Sequence, residues 1–348
     1  MSCSPVPGSA LWVREVLEQE WRPRSRPVVR PLSGGLGEPP LTHTAGLWAC
    51  ASGDRSWVFK AQLNPDAVRD ADFYPLKQGV VEHCVSRGVP AARAIPTASG
   101  APIALRDGVV CELLPRYSDA APHGATAEQV AEVVRTALRL RHALDEVSRA
   151  TVEDLARMPV NPLVDQPDWA LALGEVEDLL KLAEARDDDW AALAGSALRE
   201  VLDTEPLLAE APAPRADSAV HADLHRHHFL LRSGQVEAIL DFDNLRAGDR
   251  LLDLAWTAEL CLSAPAPEDP AGPESLREFA RRCVDEELLE ARDLRRLMPA
   301  LLVFSLPVLV DIAKDILQRD ILSPVWQQYF HLLSPARRAR VHKILQNL

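Results

Sequence analysis

Positive charge is in short supply in this 348-residue chain: 38 Lys and Arg face 51 Asp and Glu, a net charge of −13. Partners recognised through a broad basic field, nucleic acid and anionic membranes above all, are therefore not expected. Glycine is sparse, at 16 residues, far from the one-in-three repeat of a collagen-like chain. The six cysteines, Cys3, Cys50, Cys84, Cys111, Cys261 and Cys283, form no C-x-x-C pair and no metal-finger spacing. Reduced, mostly buried thiols and a cytoplasmic location are expected, and a disulfide scaffold is excluded. Long apolar runs are missing too. The most apolar stretch, Pro299 to Ala313, falls short of the roughly 20 residues a membrane span needs, and it carries Pro307 and Asp311. It reads as a buried helix. The first eighteen residues lack a basic head followed by an apolar run, so no secretory signal is expected.

What is present is a globular composition, 47% hydrophobic and 26% charged, on a chain long enough for two units, since single cores stop growing at about 250 to 300 residues. After an amphipathic helix near the amino terminus, short β-prone runs broken by Gly, Pro and Asp continue to about Pro115. Val28 to Leu32, Gly46 to Ala51 and Trp57 to Ala61 read as strands, and Ala101 to Leu105 with Gly108 to Leu114 as a further pair. Between them Asp72 to Arg87 reads as a helix stopped by Gly88 and Pro90. Beyond Thr126-Ala-Glu-Gln129, a capping-box pattern, nearly everything is helical in period. The exception is Val220 to Asn244, where two β-prone segments flank Ser233-Gly234. The expectation is an α+β protein with a β-rich unit over residues 1–115 and a larger helical unit over 116–348.

Four of the ten histidines fall within eight residues, in His221-Ala-Asp223-Leu-His225-Arg-His227-His228, and thirteen residues later comes Asp241-Phe242-Asp243-Asn244. Imidazoles and carboxylates are usual zinc ligands, but the spacing is not H-E-x-x-H, and Phe229-Leu230-Leu231 reads as a strand. The better fit is a phosphotransfer layout: H-x-D, a metal ligand five residues after that Asp, a hairpin, then Asp-Phe. Such chemistry needs one carboxylate to accept a proton from the attacking hydroxyl and a second to hold Mg2+ against the nucleotide phosphates. Asp223 suits the first task; Asp241, with His228 where Asn is usual, suits the second.

Together with Gly248-Asp249-Arg-Leu-Leu-Asp253-Leu-Ala, these motifs resemble the catalytic core of the aminoglycoside phosphotransferase-like kinases. They stand in the right order within forty residues. The resemblance implies a bilobal, protein-kinase-like fold, with ATP and Mg2+ as cofactors in a cleft between an N-terminal nucleotide-binding lobe and a C-terminal catalytic and substrate-binding lobe. It also implies that Asp253 supports the catalytic loop from behind and that His221 braces it. By the same resemblance Lys60 would contact the phosphates, with Glu82 on the following helix as its partner. Gly34, Gly35 and Gly37 would lie in the loop over the phosphates, and Glu112 and Leu114 in the adenine-holding hinge. Leu138 to Leu144 is similar to the end of the family's first large-lobe helix.

Two departures stand out: Ala222 where the family has Gly, harmless unless the backbone there needs φ > 0, and His228. The implied activity is transfer of the ATP γ-phosphate to a hydroxyl of a small molecule of antibiotic or natural-product type, or to Ser or Thr of a precursor peptide. The alternative is a pseudokinase that binds a nucleotide or a partner without turnover. Neither acceptor nor oligomeric state is named by the sequence.

Overall fold

The computed structural model describes residues 5–32, 45–64, 68–117, 124–159, 169–213, 215–266 and 268–348. It opens with helix α1 (Ala10–Val16), capped by the Ser9 side chain and continued by a π-helical turn to Trp21. Five strands follow, β1 (Val28–Pro31), β2 (Ala45–Ser52), β3 (Arg55–Gln62), β4 (Ala104–Arg106) and β5 (Val109–Pro115), with helix α2 (Phe73–Ser86) between β3 and β4. They form one antiparallel sheet in the order β1-β2-β3-β5-β4. Its buried face packs on α1, where Trp12, Trp21 and Trp48 meet Phe59 edge-on at ring distances of 6.2, 6.0 and 6.0 Å. Gly46 in β2 has a packing reason: a Cβ there would collide with the Trp48 ring.

The helical part comprises α3 (Ala127–Asp145), α4 (Arg149–Arg157), α5 (Trp169–Glu184) and α6 (Asp189–Leu208), then α7 (Leu251–Ser263), α8 (Ala271–Asp285), α9 (Leu297–Leu317), α10 (Val325–Leu332) and α11 (Pro335–Leu345). The capping box at Thr126 and Gln129 is formed. Apolar residues of α3, α5, α6, α7 and α9 share one large core; the Pro299 to Ala313 run is the buried heart of α9. No helix among the described residues is long and apolar enough to cross a membrane. The five described cysteines are free and buried, and burial pushes the Cys50, Cys84 and Cys111 thiols up to about 12.

Between α6 and α7 lie four short strands, β6 (Ser218–Val220), β7 (Phe229–Arg232), β8 (Gln235–Ile239) and β9 (Arg246–Gly248). β7 and β8 form the expected hairpin. Its turn residues Ser233 and Gly234 both have positive φ, 49° and 80°, the conformation whose twist matches a two-residue hairpin. The pairing of β6 with β9 is not visible in the sequence, because three residues are too few to show a period. That pairing closes a loop that begins at His221 and ends at Asn244, bringing the two acidic motifs together.

Candidate active site

The catalytic-loop segment from His221 to His228 is pinned from behind. Asp253, in the first turn of α7 and 1% exposed, accepts the backbone N–H of His221 at 3.0 Å and of Ala222 at 2.9 Å. Its charge is balanced by Arg141 of α3, whose guanidinium donates to it at 2.9 Å and also reaches the Ala219 carbonyl at 2.8 Å. The Trp256 indole N–H donates to the Ala222 carbonyl at 3.2 Å, so both peptides around Ala222 are fixed. Ala222 itself has φ +67°. The methyl group is therefore not harmless: an L-residue in the left-handed region carries a cost of about 1–2 kcal/mol. Ala222→Gly is expected to raise unfolding stability by roughly 0.5–1 kcal/mol, read by chemical denaturation; a loss of stability would refute the strain argument.

His221 joins this loop to the hairpin. Its Nε2 lies 3.0 Å from the Leu240 carbonyl and its Nδ1 accepts the Asp223 N–H at 3.3 Å, which assigns the proton to Nε2. Burial, reinforced by His228, pushes this imidazole down to about 4, so it braces the loop as a neutral group. Asp223 follows. The Asn244 side-chain amide donates to its Oδ2 at 3.1 Å, and burial pushes its carboxyl up to about 6 against the pull of His228 and Lys60.

The His228 Nδ1 lies 2.6 Å from the Asp223 carbonyl. As donor there, it leaves the Nε2 lone pair free, 3.7 Å from Asp241 Oδ2. That is the arrangement in which a metal-ligating imidazole is usually held, and a carboxylate beside it completes a donor pair suited to a divalent ion. Asp223, His225 and His228 form a second cluster with ligand atoms within 4.8 Å. It is the poorer metal site, because His225 Nδ1 already accepts the His227 N–H at 3.2 Å, leaving the proton on Nε2.

On the sheet side, Lys60 of β3 reaches Asp241 at 2.9 Å and Asp243 at 2.8 Å. Burial opposes its charge, yet the carboxylates of Asp241, Asp243 and Glu112 raise its pKa well above the ordinary value. The Lys60–Glu82 pair expected from the sequence is not formed. Glu82 is exposed on the outer face of α2 and bonded to Gln78 at 3.0 Å. The helix residue that faces the site is a cation, Lys77, 2.6 Å from Glu112 and 2.9 Å from Asp243. Glu112 stands opposite Lys60 in the β3–β5 register and Leu114 opposite Val58. The Glu112 carboxylate thus belongs to this ion network, a role that the expectation of a hinge does not suggest. Gly34, Gly35 and Gly37 lie outside the described residues.

Lys77, Asp243, Gln62, Arg69 and Asn244 were not anticipated. Nor was Tyr329 of α10, whose hydroxyl burial and the negative charges of Asp223 and Asp241 push up. A cavity of about 900 Å³ opens between α6 and α10, bordered by Ser196, Glu200, Arg226, His227, Gln327 and Gln328.

The sequence model of the phosphotransferase enzyme family matches residues 50–302, a span that holds Lys60, Asp223, Asp241 and Asp253. No curated protein sequence matches the chain. Among solved structures, a spectinomycin phosphotransferase in complex with ADP and spectinomycin superposes with TM-score 0.70 at 14% identity, over 99% of this chain and 100% of that one. An amicoumacin kinase in complex with AMP-PNP and Ca2+ gives 0.59 at 13% identity, over 96% and 93%. An aminoglycoside phosphotransferase from Alicyclobacillus acidocaldarius gives 0.54 at 15%, over 89% and 91%. The architecture is the bilobal, protein-kinase-like one, a β-rich lobe followed by a larger helical lobe. With the family's pattern matched over residues 50–302 and its motifs folded into one site, this chain belongs to the phosphotransferase enzyme family.

Proposed function

We propose that the protein transfers the γ-phosphate of ATP to a hydroxyl of a small molecule in the cytoplasm, with residues 1–115 as the nucleotide-binding lobe and 116–348 as the catalytic and substrate-binding lobe. The observation that carries this reading is the convergence at one cleft of Asp223, its loop pinned by Asp253, with Asp241 and Lys60. Asp223 accepts the proton of the acceptor hydroxyl, and Lys60 binds phosphate oxygens. The donor pair of Asp241 and His228 fits Mg2+, which when bound supplies positive charge against the phosphates. Gly34, Gly35 and Gly37 are assigned to the phosphate-covering loop, and the Glu112 to Leu114 segment to the hinge. Catalysis of this kind rests on position and charge rather than on a covalent intermediate.

The acceptor is assigned to the cavity between α6 and α10. Its border offers hydroxyl, amide, imidazole, one carboxylate and the Arg226 guanidinium beside the apolar Leu193, Ala197 and Phe330, a mixed set suited to a hydroxyl-bearing compound of antibiotic or natural-product size. The spectinomycin and amicoumacin enzymes that share the fold support a small molecule ahead of a precursor peptide. The test is ADP release measured over aminoglycosides, macrolides, hydroxylated metabolites and Ser/Thr peptides. Magnesium-dependent ADP release stimulated by at least one small hydroxyl compound is expected. Nucleotide binding without stimulated ADP release across the whole set would favour a pseudokinase instead.

A further inference from the structure

A cluster of buried charge lies behind the phosphate-facing lysine, and it centres on a residue to which neither motif nor resemblance gives a task. One Asp243 carboxylate oxygen receives Lys60 at 2.8 Å and the Gln62 amide at 2.7 Å; the other receives Lys77 at 2.9 Å. The Asp243 backbone carbonyl accepts from Arg69 at 3.0 Å. Lys77 is only 7% and Glu112 only 3% exposed. Two buried ammonium groups thus alternate with three carboxylates, so that no like charges are left facing each other without a counter-ion.

We propose that Asp243 is the anion that orients Lys60 toward the nucleotide phosphates, the task sequence reasoning gave to Glu82, and that Lys77 with Glu112 holds Asp243 in place. The proposal rests on the phosphotransferase reading above. Its geometric ground is the depth of the two carboxylates. The Asp241 side chain is 38% exposed at the cleft, whereas that of Asp243 is 17% exposed behind it. A polyphosphate arriving from the cleft competes with the outer Lys60–Asp241 contact and leaves the inner Lys60–Asp243 contact in place. Lys60 and Gln62 belong to β3, Lys77 to α2 and Glu112 to β5, while Asp243 follows the hairpin on the helical side. The orientation of the lysine is thereby tied to the meeting of the two lobes. Asp243 and Lys77 are positioning residues: they act through Lys60 and do not touch substrate.

The test measures the dissociation constant of a trinitrophenyl-ATP probe in Mg2+, together with melting temperature, for Asp243→Asn, Asp243→Glu, Lys77→Arg, Lys77→Met and Glu82→Gln, in wild-type and Lys60→Met backgrounds. Asp243→Asn is expected to weaken nucleotide binding about tenfold, the scale of one charge-assisted contact, and Lys77→Met by a smaller factor. Partial recovery is expected in Asp243→Glu and Lys77→Arg, and no change in Glu82→Gln. In the Lys60→Met background the Asp243→Asn effect vanishes, as it must if Asp243 acts through that lysine. The inference is overturned if Asp243→Asn binds the probe like wild type, if its effect persists in full without Lys60, or if Glu82→Gln reproduces it. A wild-type protein that fails to bind the probe overturns the phosphotransferase reading itself, and this inference with it.

Discussion

Asp223→Asn is expected to lower turnover by about 10²- to 10⁴-fold, the usual contribution of a positioned general base, while nucleotide affinity stays close to that of wild type. The amide keeps the size of the side chain and can still accept from Asn244, so the loop geometry set by Asp253, Trp256 and His221 survives. Only the capacity to take a proton is lost. Acidity supplies a second signature. Burial places the Asp223 carboxyl near about 6, so kcat/KM of the wild type should rise about tenfold per pH unit below that value and level off above it. An unfolded aspartate ionises near about 3.9. Below about pH 4 both states are protonated and the group contributes nothing; above about pH 6 both are ionised and only the folded state bears the burial cost. Stability of the wild type therefore falls as pH rises through that window, and Asp223→Asn should be the more stable protein at pH 7 to 8 but not at pH 4. A variant with unimpaired turnover would remove Asp223 from the proton-accepting role, and equal melting temperatures of wild type and variant at both pH values would remove the burial shift of its carboxyl.

The parts of this site that the sequence reveals are those governed by short-range pattern. His221, Asp223, His228 and Asp241 stand on one loop and one hairpin, and the Ser233-Gly234 turn writes the hairpin into the chain directly. The helix partner of Lys60 was a matter of which face of α2 turns inward, and there the acidic expectation led to the wrong residue. Phe73, Tyr74, Val80, Val81 and Cys84 mark the buried face. Lys77 falls within that stripe, three to four residues from its neighbours, whereas Glu82 lies round the helix from it. A lysine in an apolar stripe is a signal of a buried counter-ion, and it could have been used. What could not be seen is the identity of that counter-ion. Glu112 becomes adjacent only through the β3–β5 register, and Asp243 only through contact between the two lobes. Arg141 is hidden for the same reason: in sequence it is one more basic residue of an amphipathic helix, and only the packing of α3 on α7 makes it the partner of Asp253. The strain at Ala222 follows from three hydrogen bonds made by residues more than thirty positions away.

Asp253→Ala should be the most damaging substitution for stability, at about 3–5 kcal/mol, because it strips the buried counter-ion from Arg141 and leaves it only Asp145, a more exposed carboxylate that Arg250 shares. Arg141 is 1% exposed. Its remaining partners, Asp145, Ser218 and the Ala219 carbonyl, all lie on Nη2, so Nη1 would be left without an acceptor. The N–H groups of His221 and Ala222 would be stranded at the same time; buried donors of this kind each cost about 1–3 kcal/mol when unmet. Asp253→Asn can keep the two bonds that Oδ2 accepts, from Arg141 and His221, but presents an amide donor to the Ala222 N–H that Oδ1 accepts, and it should fall between wild type and alanine. The decisive comparison is Asp253→Ala with and without Arg141→Met. If the under-compensated charge dominates, the double variant is more stable than Asp253→Ala alone, even though it has lost more hydrogen bonds. If the stranded loop N–H groups dominate, removing the arginine recovers nothing. Equilibrium denaturation separates the two, and a loss below about 1 kcal/mol for Asp253→Ala would contradict both accounts, since ordinary exposed side chains cost no more than that. Turnover follows the same logic at one remove. Asp253 touches no substrate, yet with His221 and Ala222 unpinned the Asp223 carboxylate loses its fixed position, and misplacement of a reacting group by about 1 Å is enough to cost on the order of 10²-fold in rate.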